Sequence, residues 1–184
     1  MVMSIDALKF NLTNPARDYE WEVTFPTMLG GGDKKAMSIR CRSAVIPGRG
    51  FGEILIPFRG TPGISIPGKA TVPHAWTAMF MEGTDKKTFT AINAWMERIR
   101  QIRSGIGTSD LLIKSDFIMK MLDRAGNAWL SLKMVGAYPR NIDDTPIAQD
   151  AEGVVTYSVT WAYDYWEEAS SSISVNVGVS IPGI

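Results

Sequence analysis

Few residues of this 184-residue chain have types and spacing that could support chemistry. Gly63-Ile64-Ser65-Ile66-Pro67-Gly68-Lys69 has the two glycines and the lysine of a phosphate-binding loop, but Ala70 stands where a Mg²⁺-binding hydroxyl is required. Such a loop also opens a helix whose N–H groups cradle phosphate, whereas the alternation of Ile64 and Ile66 and the nearby Pro73 spell strand and turn. His74 is the only histidine and Cys41 the only cysteine, so neither a structural zinc set nor an internal disulfide can be assembled. A Cys41–His74 pair stays open as a nucleophile and base. The commoner reading is a buried structural thiol, because Cys41 falls on the apolar side of its run. Asp143-Asp144 and Glu167-Glu168 would suit two-carboxylate glycoside chemistry, yet both pairs sit in or beside loops, where solvated charge is usual. Six Trp and five Tyr could form a stacking platform, but Trp21, Trp76, Trp95 and Trp161 all fall on expected core faces. No catalytic, cofactor or metal set emerges.

The totals agree with a non-enzymatic globular chain. Nineteen basic and nineteen acidic residues cancel, leaving no overall field to draw in nucleic acid or an anionic membrane. A single cysteine suits a reducing compartment. Asp6 and Lys9 interrupt the stretch where a signal peptide needs an apolar core, and no run approaches the roughly 20 apolar residues that span a bilayer. The expectation is a soluble protein, in which the sequon Asn11-Leu12-Thr13 is not glycosylated.

The elements that would position these residues are mostly strands. Tyr19, Trp21, Val23 and Phe25 alternate with Glu20, Glu22 and Thr24, and Pro26 ends the run. Met28–Lys35, with Gly30-Gly31-Gly32-Asp33, reads as a flexible loop. Met37, Ile39 and Cys41 alternate with polar neighbours and predict a strand that Ile46-Pro47-Gly48 stops. Ile54, Ile56 and Phe58 begin another strand, and Ile66-Pro67-Gly68 punctuates it. Ala75–Met81 is an apolar run with both faces partly covered.

One helix is predicted over about 85–104, with Asp85 as cap and Phe89, Ile92, Trp95, Met96, Ile99 and Ile102 forming its apolar face. Arg98, Arg100 and Arg103 suit its C-terminal dipole better than a nucleic-acid patch. Asp116–Leu122 and Ala128–Val135 flank a hairpin turn at Asp123–Asn127, Gly136–Pro139 stops the second strand, and Asn141–Gly153 is an acidic loop. Val155–Tyr165 is the clearest strand, with Thr156, Ser158 and Thr160 on its polar face. Finally Ile173, Val175, Val177, Val179 and Ile181 alternate strictly with small polar residues. The apolar burial of such a strand roughly balances the entropy of ordering it, so it should form only against a waiting sheet edge. We expect that edge to belong to a neighbouring molecule.

In order and spacing, several stretches resemble the tail tube proteins of contractile-tailed bacteriophages, the T4-like group that shares a fold with type VI secretion inner-tube proteins. They are Trp21–Phe25; Ile39–Gly48; Ile54–Gly60 leading to Ile64–Gly68; Trp76–Phe80 before a single helix containing Trp95; Gly136–Pro139; and Tyr163–Trp166. The resemblance covers roughly residues 17–166. It implies a mainly β fold, an antiparallel β-sandwich or partly rolled barrel with one flanking helix. It divides a single 1–184 domain into an arm (1–17), a tube core (18–166) and an extension (167–184).

It further implies a structural, non-enzymatic virion tail protein without cofactor, assembled in the host cytoplasm. Six copies would form a ring, and rings would stack into a tube that conducts DNA without sequence-specific binding. The implied partners are other copies, the tail sheath, baseplate and terminator proteins; no membrane is involved. On that basis Glu20, Glu22, Thr24, Thr156, Ser158 and Thr160 are expected to line the lumen. Gly30, Gly31, Gly32, Asp33, Pro47, Arg49, Phe51 and Arg59 are expected to bridge successive rings. The alternatives are a baseplate or tube-terminating relative, a secretion-type tube protein, or, from another class, a carbohydrate-binding or hydrolytic sandwich.

Overall fold

The computed structural model describes residues 5, 9–10, 14–26, 33–150 and 152–169. In order its elements are β1 (Trp21–Thr24), α1 (Lys34–Arg40), β2 (Cys41–Ala44), β3 (Gly50–Phe58), β4 (Thr61–Thr71) and β5 (Ala75–Met81). They continue with α2 (Lys87–Ile99), α3 (Asp110–Ile113), β6 (Ser115–Leu122), β7 (Ala128–Ile142), β8 (Thr156–Ala162) and β9 (Tyr165–Glu168). All strand pairs are antiparallel.

Strand β7 holds the architecture together. Its first part pairs with β6 and β9, and its last part pairs with β8, so one long strand belongs to two sheets. The main path runs β1-β6-β7-β8-β5-β2. The bend lies at Gly136, whose φ of 67° an L side chain rarely adopts. Its N–H donates to Asp116 Oδ1 at 3.0 Å, and a Cβ there would meet Asp164 Oδ2 at 2.2 Å. Gly136–Pro139 therefore turns the strand from one sheet into the other and does not end it. The expected Val155–Tyr165 strand is likewise divided: β8 stops at Ala162, and Tyr165 starts β9 farther along the same edge of β7, in the other sheet.

The sheets close over an aromatic core. Phe25 lies 5.5–5.8 Å from the rings of Phe80, Phe117 and Trp161, and Trp76 lies 4.8 Å from Phe117. Helix α2 seals one side through Ala91, Ile92 and Trp95, and Trp95 meets Trp161 edge-on at 5.6 Å. Trp76 and Trp95 bury their indoles without stranding an N–H, donating to the Val45 and Ile113 carbonyls at 2.6 and 2.7 Å. Trp21 packs on the edge of this core and is only partly buried.

Two helix expectations need correction. The stretch Lys34–Arg40, read as loop and strand, is helical: Asp33 caps it, accepting from Lys35 N–H at 2.9 Å. Met37 is 1% exposed and Ile39 72%, so the apparent alternation was never one face of a strand. Helix α2 covers Lys87–Ile99 and not 85–104, because Arg100 turns extended and the chain folds back on itself. Lys86 occupies the cap position with φ 52° and no side-chain bond, and Asp85 lies one residue earlier.

Candidate functional site: the assembly surfaces

Among the described residues, strands β3 and β4 pair only with each other and form a two-stranded arm beside the body. Arg59 and Gly60, with φ 35° and 75°, make the two-residue turn that matches strand twist. Ile66-Pro67-Gly68, expected as a stop, runs inside β4. The prolines fit because each strand of an isolated pair has an edge that needs no N–H. The register sets Ile54 opposite Ile66 and Ile56 opposite Ile64, so four isoleucines share one face. They are 54%, 42%, 47% and 64% exposed in that order. Covering four half-exposed isoleucines is worth about 4–6 kcal/mol, and an isolated two-stranded ribbon is at best marginal in water. This arm includes the apparent phosphate loop; Lys69 lies in β4 and no helix follows it, so nucleotide binding has no structural basis.

Of the residues expected to bridge rings, Phe51 and Arg59 lie on this arm, exposed. The others described serve the subunit itself. Asp33 caps α1, Pro47 is buried, and Arg49 lies over the Trp166 ring at 4.8 Å, beneath which Trp166 Nε1 donates to Gly48 O. Gly30, Gly31 and Gly32, and the strand expected at Ile173, Val175, Val177, Val179 and Ile181, lie outside the described residues.

The structure does not bring together the six residues expected to line a lumen. Glu22 and Thr24 are exposed on β1, where Glu22 accepts an ion pair from Lys120 at 3.1 Å, and Glu20 just precedes that strand. Thr156, Ser158 and Thr160 alternate on β8 with the core residues Tyr157, Val159 and Trp161. The buried sides of β1 and β8 enter one core. Their polar sides therefore face away from each other on different sheets. Beside β8, Thr77 and Met79 of β5 extend the uncharged surface.

The remaining candidates for chemistry fall apart. Cys41 pairs in register with Phe80, near one end of β5, while His74 precedes the other end. Six residues of strand separate them, roughly 20 Å. His74 Nδ1 lies 3.1 Å from the Tyr163 carbonyl, and burial pushes the Cys41 thiol up to about 12. Among the described residues no group of three or more His, Cys, Asp or Glu could hold a metal ion. Asp143 accepts from Asn141 and Glu167 faces Lys133, so neither carboxylate pair forms a two-acid centre.

What defines this molecule is thus an antiparallel sandwich with a projecting apolar arm, the construction of an assembling subunit. The chain belongs to the phage tail tube protein family, whose model matches residues 10–169. That family consists of structural virion-tail components and not enzymes. The fold is similar to a chain of the anti-feeding prophage tube terminating cap, with TM-score 0.63 and 19% identity over 91% of this chain and 99% of that one. It is also similar to a chain of an extracellular contractile injection system sheath-tube complex in the extended state (TM-score 0.57, 15% identity, 92% and 99% covered). A third likeness is to a chain of the anti-feeding prophage baseplate (TM-score 0.66, 9% identity, 86% and 98% covered). No curated protein matches the chain in sequence.

Proposed function

We propose that this protein forms rings of six that stack into the inner tube of a contractile tail, inside a sheath and between a baseplate and a terminator, and that the tube conducts the phage genome. The observation that carries this reading is the isoleucine face of the β3–β4 arm, apolar and exposed on a ribbon that pairs with no other strand among the described residues. A second copy supplies the missing cover, so the arm, with Phe51 and Arg59, makes the contact between successive rings.

A single channel takes only one of the two polar faces. The hydroxyl face of β8 fits it: Thr156, Ser158 and Thr160 offer DNA neither cations to hold it nor a dense negative wall. Purified protein observed by negative-stain electron microscopy should give rings and tubes. A persistent monomer would reject the proposal, and single rings that never stack would instead support a terminating or baseplate role.

A further inference from the structure

Helix α2 carries two surfaces of opposite sign. From its last turn onward, residues 98–109 hold Arg98, Arg100 and Arg103 and no acidic residue, with Glu97 and Asp110 on either side. The chain there is a preformed knob. Gln101 N–H donates to Ile106 O at 2.9 Å, Gly105 N–H to Gln101 O at 2.8 Å, and Arg100 Nε to Gly105 O at 3.2 Å. From this knob and the short helix α3 after it Ile102, Ile106 and Leu111 project, 89%, 69% and 89% exposed.

Alongside α2 as far as Met96 runs an open groove of about 630 Å³, floored by Phe89, Met96, Ile142, Val155 and Tyr157, with Glu82, Asp143 and Asp144 outnumbering the one cation, Lys86, in its lining. The loop that walls it, residues 143–155, carries Asp143, Asp144, Asp150 and Glu152 and no basic residue. Its Ile147 is 84% exposed and its Val154 61%. Helix α2, 13 residues and about 20 Å long, carries the groove along its side as far as Met96 and the knob from Arg98 onward.

We infer that the basic knob of one copy seats in the acidic groove of the next, which makes this the side-to-side contact within a ring; the inference rests on the assembly reading above. Each surface has what the other lacks: projecting apolar side chains with cations around them against an apolar floor with carboxylates around it. The surfaces differ, so the contact is head-to-tail, and it propagates into a ring when the rotation closes. Opposite charge fixes which end meets which, and a knob meeting a knob is repelled.

The test uses two full-length variants changed only at exposed positions, Arg98→Glu with Arg103→Glu, and Asp144→Lys with Asp150→Lys and Glu152→Lys. Each alone should keep the wild-type melting temperature and lose at least tenfold in ring formation by sedimentation velocity, since its knob and groove then carry the same sign. An equimolar mixture should recover rings of alternating copies, because each altered surface meets its complement in the other variant. Variants that assemble like wild type would overturn this contact, and so would a mixture of folded variants that stays monomeric. If a reversal lowers the melting temperature, the neutral versions Arg98→Gln with Arg103→Gln and Asp144→Asn with Asp150→Asn and Glu152→Gln replace it. Ring formation must then weaken and lose most of its salt dependence, or the contact is refuted. A wild-type protein that never forms rings would fail the assembly reading itself, an outcome distinct from rings that ignore these charges.

Discussion

Arg40 Nη1 lies 2.7 Å from Glu82 Oε1, joining the last residue of α1 to the residue that follows β5. The same carboxylate caps α2, its Oε2 accepting from Phe89 N–H at 2.6 Å and from the Tyr157 hydroxyl at 3.1 Å. Burial, followed by the Glu82 charge, raises the Tyr157 phenol above its ordinary range, so that hydroxyl stays a donor. Four elements thus meet on one side chain that is 10% exposed. Glu82→Ala leaves Arg40, two helix N–H groups and a phenol without their acceptor and should cost about 2–4 kcal/mol. For a chain of this size that is a fall of about 6–12 °C in Tm by calorimetry. Glu82→Gln keeps one acceptor and should lose roughly half as much.

Asp85 belongs to the same junction but titrates separately. Its hydrogen bond to Arg40, at 2.7 Å, together with the guanidinium charge and the Lys87 N–H, lowers its pKa to about 2. A folded-state pKa below the unfolded one means that the stabilisation is complete above the ordinary value of about 3.8 and is lost as pH falls toward 2. In Tm measurements between pH 5 and 2, wild type should therefore lose more than Asp85→Asn, and the two curves should run parallel above about pH 5. Parallel curves throughout would remove the Arg40–Asp85 bond from the account.

The sequence announces the core more clearly than the surfaces. Val23, Tyr157, Val159 and Trp161 sit in strands whose alternation is read correctly, because burial on one face imposes period two. Lys34–Arg40 is missed because a helix of seven residues, with Met37 as its one buried side chain, leaves no periodic trace. The decisive sign is the cap, Asp33 following three glycines, where attention falls on the glycines. The Arg59-Gly60 turn is also legible in principle, since two residues with positive φ between apolar runs define a hairpin. Three prolines within β3 and β4 conceal it by arguing against paired strands. The acidic groove is not legible at all. It depends on the bend at Gly136 that carries Ile142 and Asp143 beneath α2, a tertiary relationship with no local pattern.

Cys41 offers a chemical check on packing. Burial alone pushes its thiol up to about 12, against an ordinary value near 9.0. At pH 8 the reactive thiolate should then be on the order of 100-fold or more scarcer in the folded protein than in the unfolded chain. Alkylation of native protein at pH 8 should be slow, should accelerate only as pH approaches the strongly alkaline range, and should become rapid in urea. Native alkylation at the rate of the urea-unfolded chain would mean that β2 opens readily from β5.

Gly63 separates the stability of the arm from that of the body. Its φ is 81°, and a Cβ there would approach the Ile56 carbonyl oxygen to 2.6 Å, a backbone atom that cannot swing aside. Gly63→Ala must break the register that sets Ile56 opposite Ile64 and so scatter the isoleucine face. The aromatic core shares none of these residues, so the melting temperature of the isolated subunit should move by less than about 2 °C. Tube formation should fall at least tenfold by quantitative sedimentation and electron microscopy. Gly48→Ala is the control, since a Cβ there meets nothing within 4 Å. A large fall in melting temperature would make the arm part of the subunit's own stable structure. Normal tubes from Gly63→Ala would show that assembly does not need the isoleucine face.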